Sequence, residues 1–378
     1  MNADSCSLLT VGIPTWNRCQ FLREMILSVT TQAERYGLVH DVEVVVSDNA
    51  SADETPSIVA DLQAQTPVRI RYHRNDMNLG PVKNILNTVV LTSGRYLMMY
   101  GDDDLMADGA LPLILQTLRK YGEVPAFMFK QSPVSNPRWD IQCLIPLSIT
   151  EAAQRYFYYI GNAGVFALKT QDAQSQLQRW GVERFQTCWP TTQLAFLAMA
   201  ASDMPEPVLA VPVASSCSPN HTRNTVYTSW YIWETMFFSL YRTALELRSI
   251  VGQPFFEAAC AHIFAMRRTL NIATNVFLYT TLFDLPQDSA RTREVTRHSL
   301  RHATRRTLLP LLLMWLIAAT PRPVKLLGLW SVILLRWPIR AGAKFRRLRE
   351  AVRTHQERRL QASERGATKP RLYGPGDL

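Results

Sequence analysis

Three consecutive aspartates, Asp102, Asp103 and Asp104, follow Gly101 directly after the apolar run 95–100 (RYLMMY). Adjacent carboxylates at the end of a buried segment repel one another, a cost that proteins rarely carry unless a cation offsets it. Hard oxygen ligands of this kind suit Mg2+ or Mn2+, ions that characteristically hold a diphosphate at the same time. Three further polar clusters end apolar runs in the same way: 14–18 (PTWNR), 48–53 (DNASAD) and 74–80 (RNDMNLG). Taken singly, each has a plain structural role. Ser51 or Asp53 caps a helix, Gly80 relieves a turn, and 75–78 reads as a loop. The triple aspartate does not fit such a role.

The elements that must position these clusters are legible as an alternation. Short β-branched or apolar runs at 8–13, 43–47, 68–73 and 95–100 predict strands, with a fifth at 126–130. Between them, apolar residues at three- and four-residue steps predict helices over about 19–35, 52–65, 80–91 and 108–121. This order implies a Rossmann-like α/β fold with a mostly parallel sheet, whose strands all end on one edge. Ligands of such sheets bind in the crevice outside those carboxyl ends, where all four clusters fall.

Four motifs in order, GIPTWNR (12–18), VVVSDNASADET (44–55), RNDMNLGPVKN (74–84) and GRYLMMYGDDD (94–104), resemble the nucleotide-sugar-binding half of inverting family 2 glycosyltransferases with the GT-A fold. The resemblance covers roughly the first third of the chain, more weakly to about residue 200. It implies that Pro14, Thr15 and Asn17 line the nucleotide pocket, that Asp48 hydrogen-bonds the base, and that Asn78, Gly80 and Lys83 lie along the nucleotide-sugar. By the resemblance the GDDD segment supplies the family's DxD element, with Asp102 facing the ribose and sugar, and with Asp104, together with Asp102, binding Mn2+ or Mg2+. A triple aspartate leaves the register open, so Asp103 can exchange roles with either neighbour. The chemistry agrees. Breaking the sugar to nucleotide bond leaves a diphosphate whose charge a carboxylate-held divalent ion neutralises. A base that deprotonates the acceptor hydroxyl completes an inverting displacement. On the exposed face of a helix, Lys83 is equally placed to be merely solvated.

The acceptor half departs from the pattern. Residues 161–169 (GNAGVFALK) resemble the family's small-residue strand, after which many members carry an acidic pair opening a helix. Here 187–194 reads TCWPTTQL, with no carboxylate, although Pro190 still marks a helix start. The candidate bases are therefore Glu183, Asp203 and His221, each with an ordinary surface role as the alternative. Trp189 is either an acceptor-sugar platform or a core residue. A sugar nucleotidylyltransferase would carry a GxGxR loop where this chain reads IPTWNR, and a catalytically inactive family member acting as a scaffold is the remaining alternative.

Charge is divided unevenly: residues 1–289 hold 21 Lys+Arg against 26 Asp+Glu, while 290–378 hold 20 against 5. Aromatic residues at helical spacing in 230–247 and 255–279 predict core helices. Two apolar segments, 308–319 and 326–335, are flanked by arginines and are each too short for the ~20 residues of a span. The Pro321-Arg322-Pro323 break separates them. Interfacial or shallowly re-entrant helices on an anionic cytoplasmic leaflet are expected, with a soluble helical hairpin packed on the catalytic domain or a dimer partner as the alternative, and no nucleic acid, because stacking aromatics are not interleaved with the arginines. The expected divisions are a catalytic domain at 1–225 (nucleotide-sugar binding 1–110, acceptor half 111–225), a basic, helical, membrane-associating region at 226–360 and a disordered tail at 361–378. Six scattered cysteines without metal-ligand spacing predict buried thiols in a reducing compartment, and the N-terminus shows no secretory pattern. The expected partners are a nucleotide-diphosphate sugar, a lipid-linked or polysaccharide acceptor and the cytoplasmic face of the membrane.

Overall fold

The computed structural model describes residues 7–131, 141–157, 159–160, 163–185, 187, 189–217 and 239–264, and, further along, 293, 296–297, 299–301, 303, 307–321 and 324–325. The chain divides into two compact units, Met1–Asn224 with Leu240–His262, and Thr225–Ser239 with Ile263–Leu378. Part of the region drawn from sequence as 226–360 thus packs with the first unit.

The first unit is built on a nine-stranded mixed sheet. Strands β1 (Leu9–Thr15), β2 (Val42–Asp48), β3 (Arg69–Arg74) and β4 (Tyr96–Met99) alternate with helices α1 (Cys19–Arg35), α2 (Thr55–Gln65) and α3 (Pro81–Leu91). They pair in parallel in the order β3-β2-β1-β4, with Thr15 opposite Asp48 and Asp48 opposite Arg74. Beyond β4 the order continues β8 (Phe166–Lys169), β6 (Ala126–Gln131), β9 (Val208–Cys217) and β5 (Leu105–Met106), with β7 (Ile145–Leu147) also on β9. Here only β6 and β9 run parallel; β8, β5 and β7 pair antiparallel. The expected fold is borne out, and the sheet is more mixed at this end than the sequence implied.

Alternation along β1 explains the layers. Leu9, Val11 and Ile13 are fully buried with Val42, Val44 and Val46 of β2 in a core with Leu22, Met25, Ile26 and Val29 of α1 and Leu111, Ile114 and Leu115 of α4 (Ala110–Lys120). Residues of opposite parity face α3. A Cβ at Gly12 would stand 2.8 Å from Thr88 of α3 and 2.9 Å from Met99 Sδ, so glycine is what lets helix and strand close up. α6 (Thr170–Trp180) and α7 (Pro190–Ala200) pack beside α3, and α5 (Ile149–Tyr156) lies against α7 and β7. Phe196 of α7 stacks on Phe157 at 5.1 Å and meets Phe255 of α9 (Gln253–Ile263) at 5.0 Å. That contact fixes α9, and with it α8 (Ser239–Val251), to the first unit. Phe255 and Phe256 are fully buried, as the aromatic stripe predicted.

In the second unit the described helix is α10 (Leu308–Ala319). Pro310, Leu311, Met314 and Ala318 are buried, while Leu308, Leu309, Leu312 and Leu316 form an exposed apolar face. Among the described residues no helix is long and apolar enough to cross a membrane. The segment 326–335 and the tail 361–378 lie outside the described residues. Thiols are less uniformly buried than expected: Cys260 is buried and Cys19 partly so, but Cys143 is exposed.

Candidate active site

The four polar clusters meet at the carboxyl edge of β1 to β4, held together by side chains that bond from one loop to the next. After β1, Asn17 adopts a left-handed conformation (φ 53°), donates its N–H to Ser51 Oγ (2.9 Å) and accepts from the Ala52 amide at Oδ1 (2.7 Å). Asp53, from the loop after β2, accepts the Cys19 N–H at the start of α1 (3.0 Å) and both the N–H and hydroxyl of Thr55. Those bonds hold the Asp53 carboxyl below its ordinary range, although burial acts against them. They also explain why α2 begins at Thr55 rather than at 52 as expected.

Below this junction asparagines, whose side-chain amides can both donate and accept, knit the loops after β2 and β3. Asn49 donates to Asn78 Oδ1 (2.9 Å) and accepts from Asn75 Nδ2 and the Leu79 N–H, while Asn78 Oδ1 also takes the Gly80 N–H. Asn84, buried on α3, bonds Ser47 and Asn75. Gly80 sits at φ 82°, with Pro81 opening α3. Asp48 is fully buried: its Oδ1 accepts the Ser51 N–H and its Oδ2 the Tyr72 hydroxyl (2.6 Å), with Arg74 Nε 3.6 Å away. The structure therefore sets Asp48 beneath the loops it shapes.

The aspartates complete the edge. Asp102 is 5% exposed; Thr15 donates its hydroxyl to Oδ2 at 2.8 Å, and Arg18 Nη1 reaches Oδ1 at 3.0 Å and Asp103 Oδ2 at 3.2 Å. Burial pushes the Asp102 carboxyl up, with Arg18 and Thr15 pulling against it. The Asp104 N–H closes a tight turn on the Gly101 carbonyl (3.2 Å), and Asp104 is 6% exposed. A Cβ at Gly101 would lie 3.0 Å from Asp103 Oδ1 and 3.1 Å from Asp104 Oδ2. Two carboxylates thus converge over the bare Cα, a hard-oxygen set that fits Mg2+ or Mn2+. Among the described residues no group of three or more His, Cys, Asp or Glu converges. That suits an ion taking one or two carboxylates from protein and the rest from phosphate and water.

The predicted bases separate. Glu183, on the 3-10 turn Val182–Arg184, pairs with Lys83 Nζ of α3 at 3.0 Å, and both are exposed. Asp203 lies exposed beyond the end of α7, and His221 falls outside the described residues. Trp189 is buried, 9% exposed, a core residue in this structure. The sequence reading missed Arg18 as a partner of the aspartates, and also Glu246 of α8. Glu246 bonds Arg242 (2.9 Å) and Gln193 in the first turn of α7 (3.3 Å), and burial raises its carboxyl. Its only signal, Arg242–Glu246 spacing on a helix, is shared by ordinary surface pairs. Beside Gly101, between β4, β8, α3 and α7, lies a cavity of about 150 Å3 whose wall is mostly apolar.

Residues 10–170 match the family described as Glycosyl transferase family 2. Over 110 residues the chain is 40% identical to the abequosyltransferase RfbV of Salmonella typhimurium, covering 29% of this chain and 32% of that protein. It is 36% identical over 109 residues to the GalNAc(5)-diNAcBac-PP-undecaprenol beta-1,3-glucosyltransferase of Campylobacter jejuni, covering 29% and 33%. These matches span about a third of either relative's length. The fold is similar to that of S. aureus TarS 1-349, solved with UDP-GlcNAc (TM-score 0.56, 14% identity, 76% of this chain and 80% of that one). It is also similar to the mannosyltransferase PcManGT from Pyrobaculum calidifontis, solved with GDP-Man and Mn2+ (TM-score 0.52, 17% identity, 84% and 87%).

Proposed function

We propose, from the premise that residues 10–170 are a glycosyl transferase family 2 domain, that this chain is an inverting, divalent-dependent glycosyltransferase. It moves a sugar from a nucleotide-diphosphate donor to a hydroxyl of a lipid-linked or polysaccharide acceptor. The observation that carries this reading is the convergence of Asp103 and Asp104 over Gly101 at the edge where the other three polar loops meet. Pro14, Thr15, Asn17, Asn78 and Gly80 line the nucleotide and diphosphate path, and Asp48 shapes it from below. Asp104 with Asp103 would hold Mn2+ or Mg2+, supported by Asp102, and the ion would supply Lewis-acid stabilisation of the departing diphosphate. Arg18, bonded to Asp102 and Asp103, adds a permanent cation beside the same charge.

For the base, Glu183 ranks ahead of Asp203, because its pairing with Lys83 sets it beside the first turn of α3, next to Gly80. Lys83 is then a positioning residue and only secondarily a phosphate contact. The exposed leucines of α10 favour a membrane-surface location. A helix of this length reaches about 18 Å, well short of a ~30 Å hydrocarbon core, so it lies in the interface rather than across it. The side of that surface is the cytoplasmic one, where lipid-linked acceptors and nucleotide sugars meet. The inactive-scaffold reading keeps one specific observation, the first turn of α7 without a carboxylate. Incorporation of labelled sugar from a donor panel into lipid extracts separates the two: transfer that requires Mn2+ or Mg2+ supports the enzyme, and donor binding with no transfer to any acceptor supports the scaffold.

A further inference from the structure

The cavity beside Gly101 has a chemistry that the donor path does not account for. Its floor is Leu97 and Met99 of β4 with Phe166 and Leu168 of β8, and α3 and α7 close its sides with apolar residues that include Leu194. Pro14 of β1 and Gly101 also line it. These two sit next to Thr15 and Asp102, which are hydrogen-bonded to each other. Gly101 is also the residue over which Asp103 and Asp104 converge, so the cavity adjoins the turn where a diphosphate held by the aspartates would deliver its sugar. Polar groups are nearly missing from its wall. Thr191 supplies a hydroxyl, while that of Tyr100 is turned to the Ser215 carbonyl at 3.0 Å. Gln193, in the same turn of α7, points its amide to Glu246 instead.

A hexose carries hydroxyls around its ring, and each one pressed against such a wall loses its water without gaining a partner. Apolar cavities of about this volume instead take apolar guests, and a methyl or methylene edge fits. Resting on the glycosyltransferase reading above, we propose that the donor is a nucleotide-diphosphate deoxyhexose, whose deoxy edge fills the cavity bounded by Met99, Phe166 and Leu194. Its remaining hydroxyls face the polar loops. Specificity then arises from rejection of hydroxyls rather than from recognition of them, and a hydroxyl added against an apolar pocket is discriminated by about 100-fold.

The test uses the full chain with Mn2+ and matched donors sharing one nucleotide: a hexose, its 6-deoxy counterpart and an N-acetylhexosamine, for each common nucleotide in turn. Affinity by calorimetry and nucleotide release by kcat/KM are both read. The expected result is a preference of about 100-fold for the deoxy donor within at least one nucleotide series. Leu194→Ser should narrow that preference by improving the hydroxylated donor, a gain that mere loss of packing would not give. Should that variant not fold, the rim variant Thr191→Val should widen it. Equal affinity, or preference for the hexose or the N-acetylhexosamine, overturns the deoxyhexose assignment and leaves the glycosyltransferase reading standing. Failure to bind any nucleotide sugar overturns both.

Discussion

Replacing Asp102 by asparagine separates a ligand-binding role from a structural one. In the folded chain this carboxylate is 5% exposed and stands beside Asp103, and desolvation raises its pKa against the pull of Arg18 and Thr15. The sign follows directly. An acid whose folded pKa lies above its unfolded value helps the folded state only at low pH, and that contribution is lost as pH rises through the folded pKa. As pH rises above the unfolded value, the buried carboxyl therefore costs stability. The asparagine carbonyl keeps the Thr15 hydroxyl as a donor, a neutral bond of about 1 kcal/mol in place of a charged one of about 1.5–3. The lost Arg18 pair is worth at most about 1 kcal/mol because Arg18 is 44% exposed. Against these losses stands relief from burying a charge, several kcal/mol in general. The melting temperature of Asp102→Asn should thus stay level or rise by a few degrees, read by scanning fluorimetry at pH 7. Its divalent-dependent affinity for a nucleoside diphosphate should fall by at least about tenfold by calorimetry, the lower end for groups that support a bound ion. A variant that melts more than about 5 °C lower yet binds Mn2+ and nucleotide normally would refute the reasoning, because Asp102 would then serve the fold alone.

Glu43 should behave in the opposite sense. It is fully buried away from the site, where the Thr10 hydroxyl and the Ser93 hydroxyl and N–H hold its carboxyl low although desolvation opposes them. Glu43→Gln should lower stability by about 2–4 kcal/mol in urea titrations while leaving donor affinity intact. The Glu43 contribution should be fully present above its unfolded pKa and lost as pH falls through the lower folded value. Gly101→Ala, whose methyl would press on Asp103 and Asp104, should weaken Mn2+-dependent binding by about tenfold or more with little change in melting. Glu183→Gln should reduce kcat by about 100-fold or more at unchanged donor affinity, and wild-type turnover would move the base to Asp203, His221 or Glu246. Leu309→Ser with Leu312→Ser and Leu316→Ser should abolish flotation with anionic vesicles, and undiminished flotation would remove α10 from the membrane contact.

The parallel half of the sheet was legible because each strand is a compact apolar run ended by polar residues. β1 to β4 and α1 to α4 lie within a few residues of expectation. β5 and β9 were not legible: Leu105–Met106 is a two-residue strand defined by its partner, and Val208–Cys217 mixes Pro212 and small residues without alternation. The site shows the same division. The aspartates announced themselves by mutual repulsion, and Asn78 and Gly80 by the turn they form. Pairings between distant residues, Arg18 with Asp102 and Lys83 with Glu183, left no local signal, since either arginine or lysine could equally have been a solvated surface charge. The burial of Asp48 was equally hidden, because it depends on the Tyr72 hydroxyl one strand away.

The central claim is that the Gly101 to Asp104 turn binds a nucleotide-diphosphate sugar through a divalent ion for transfer. Its most direct measurement is nucleotide release by the full chain from a panel of nucleotide sugars, with Mn2+ and with EDTA, beside Asp104→Asn. Release from at least one donor that vanishes with EDTA and falls by about 100-fold or more in Asp104→Asn is the predicted result. Release that is unchanged by EDTA and by the substitution would contradict the account.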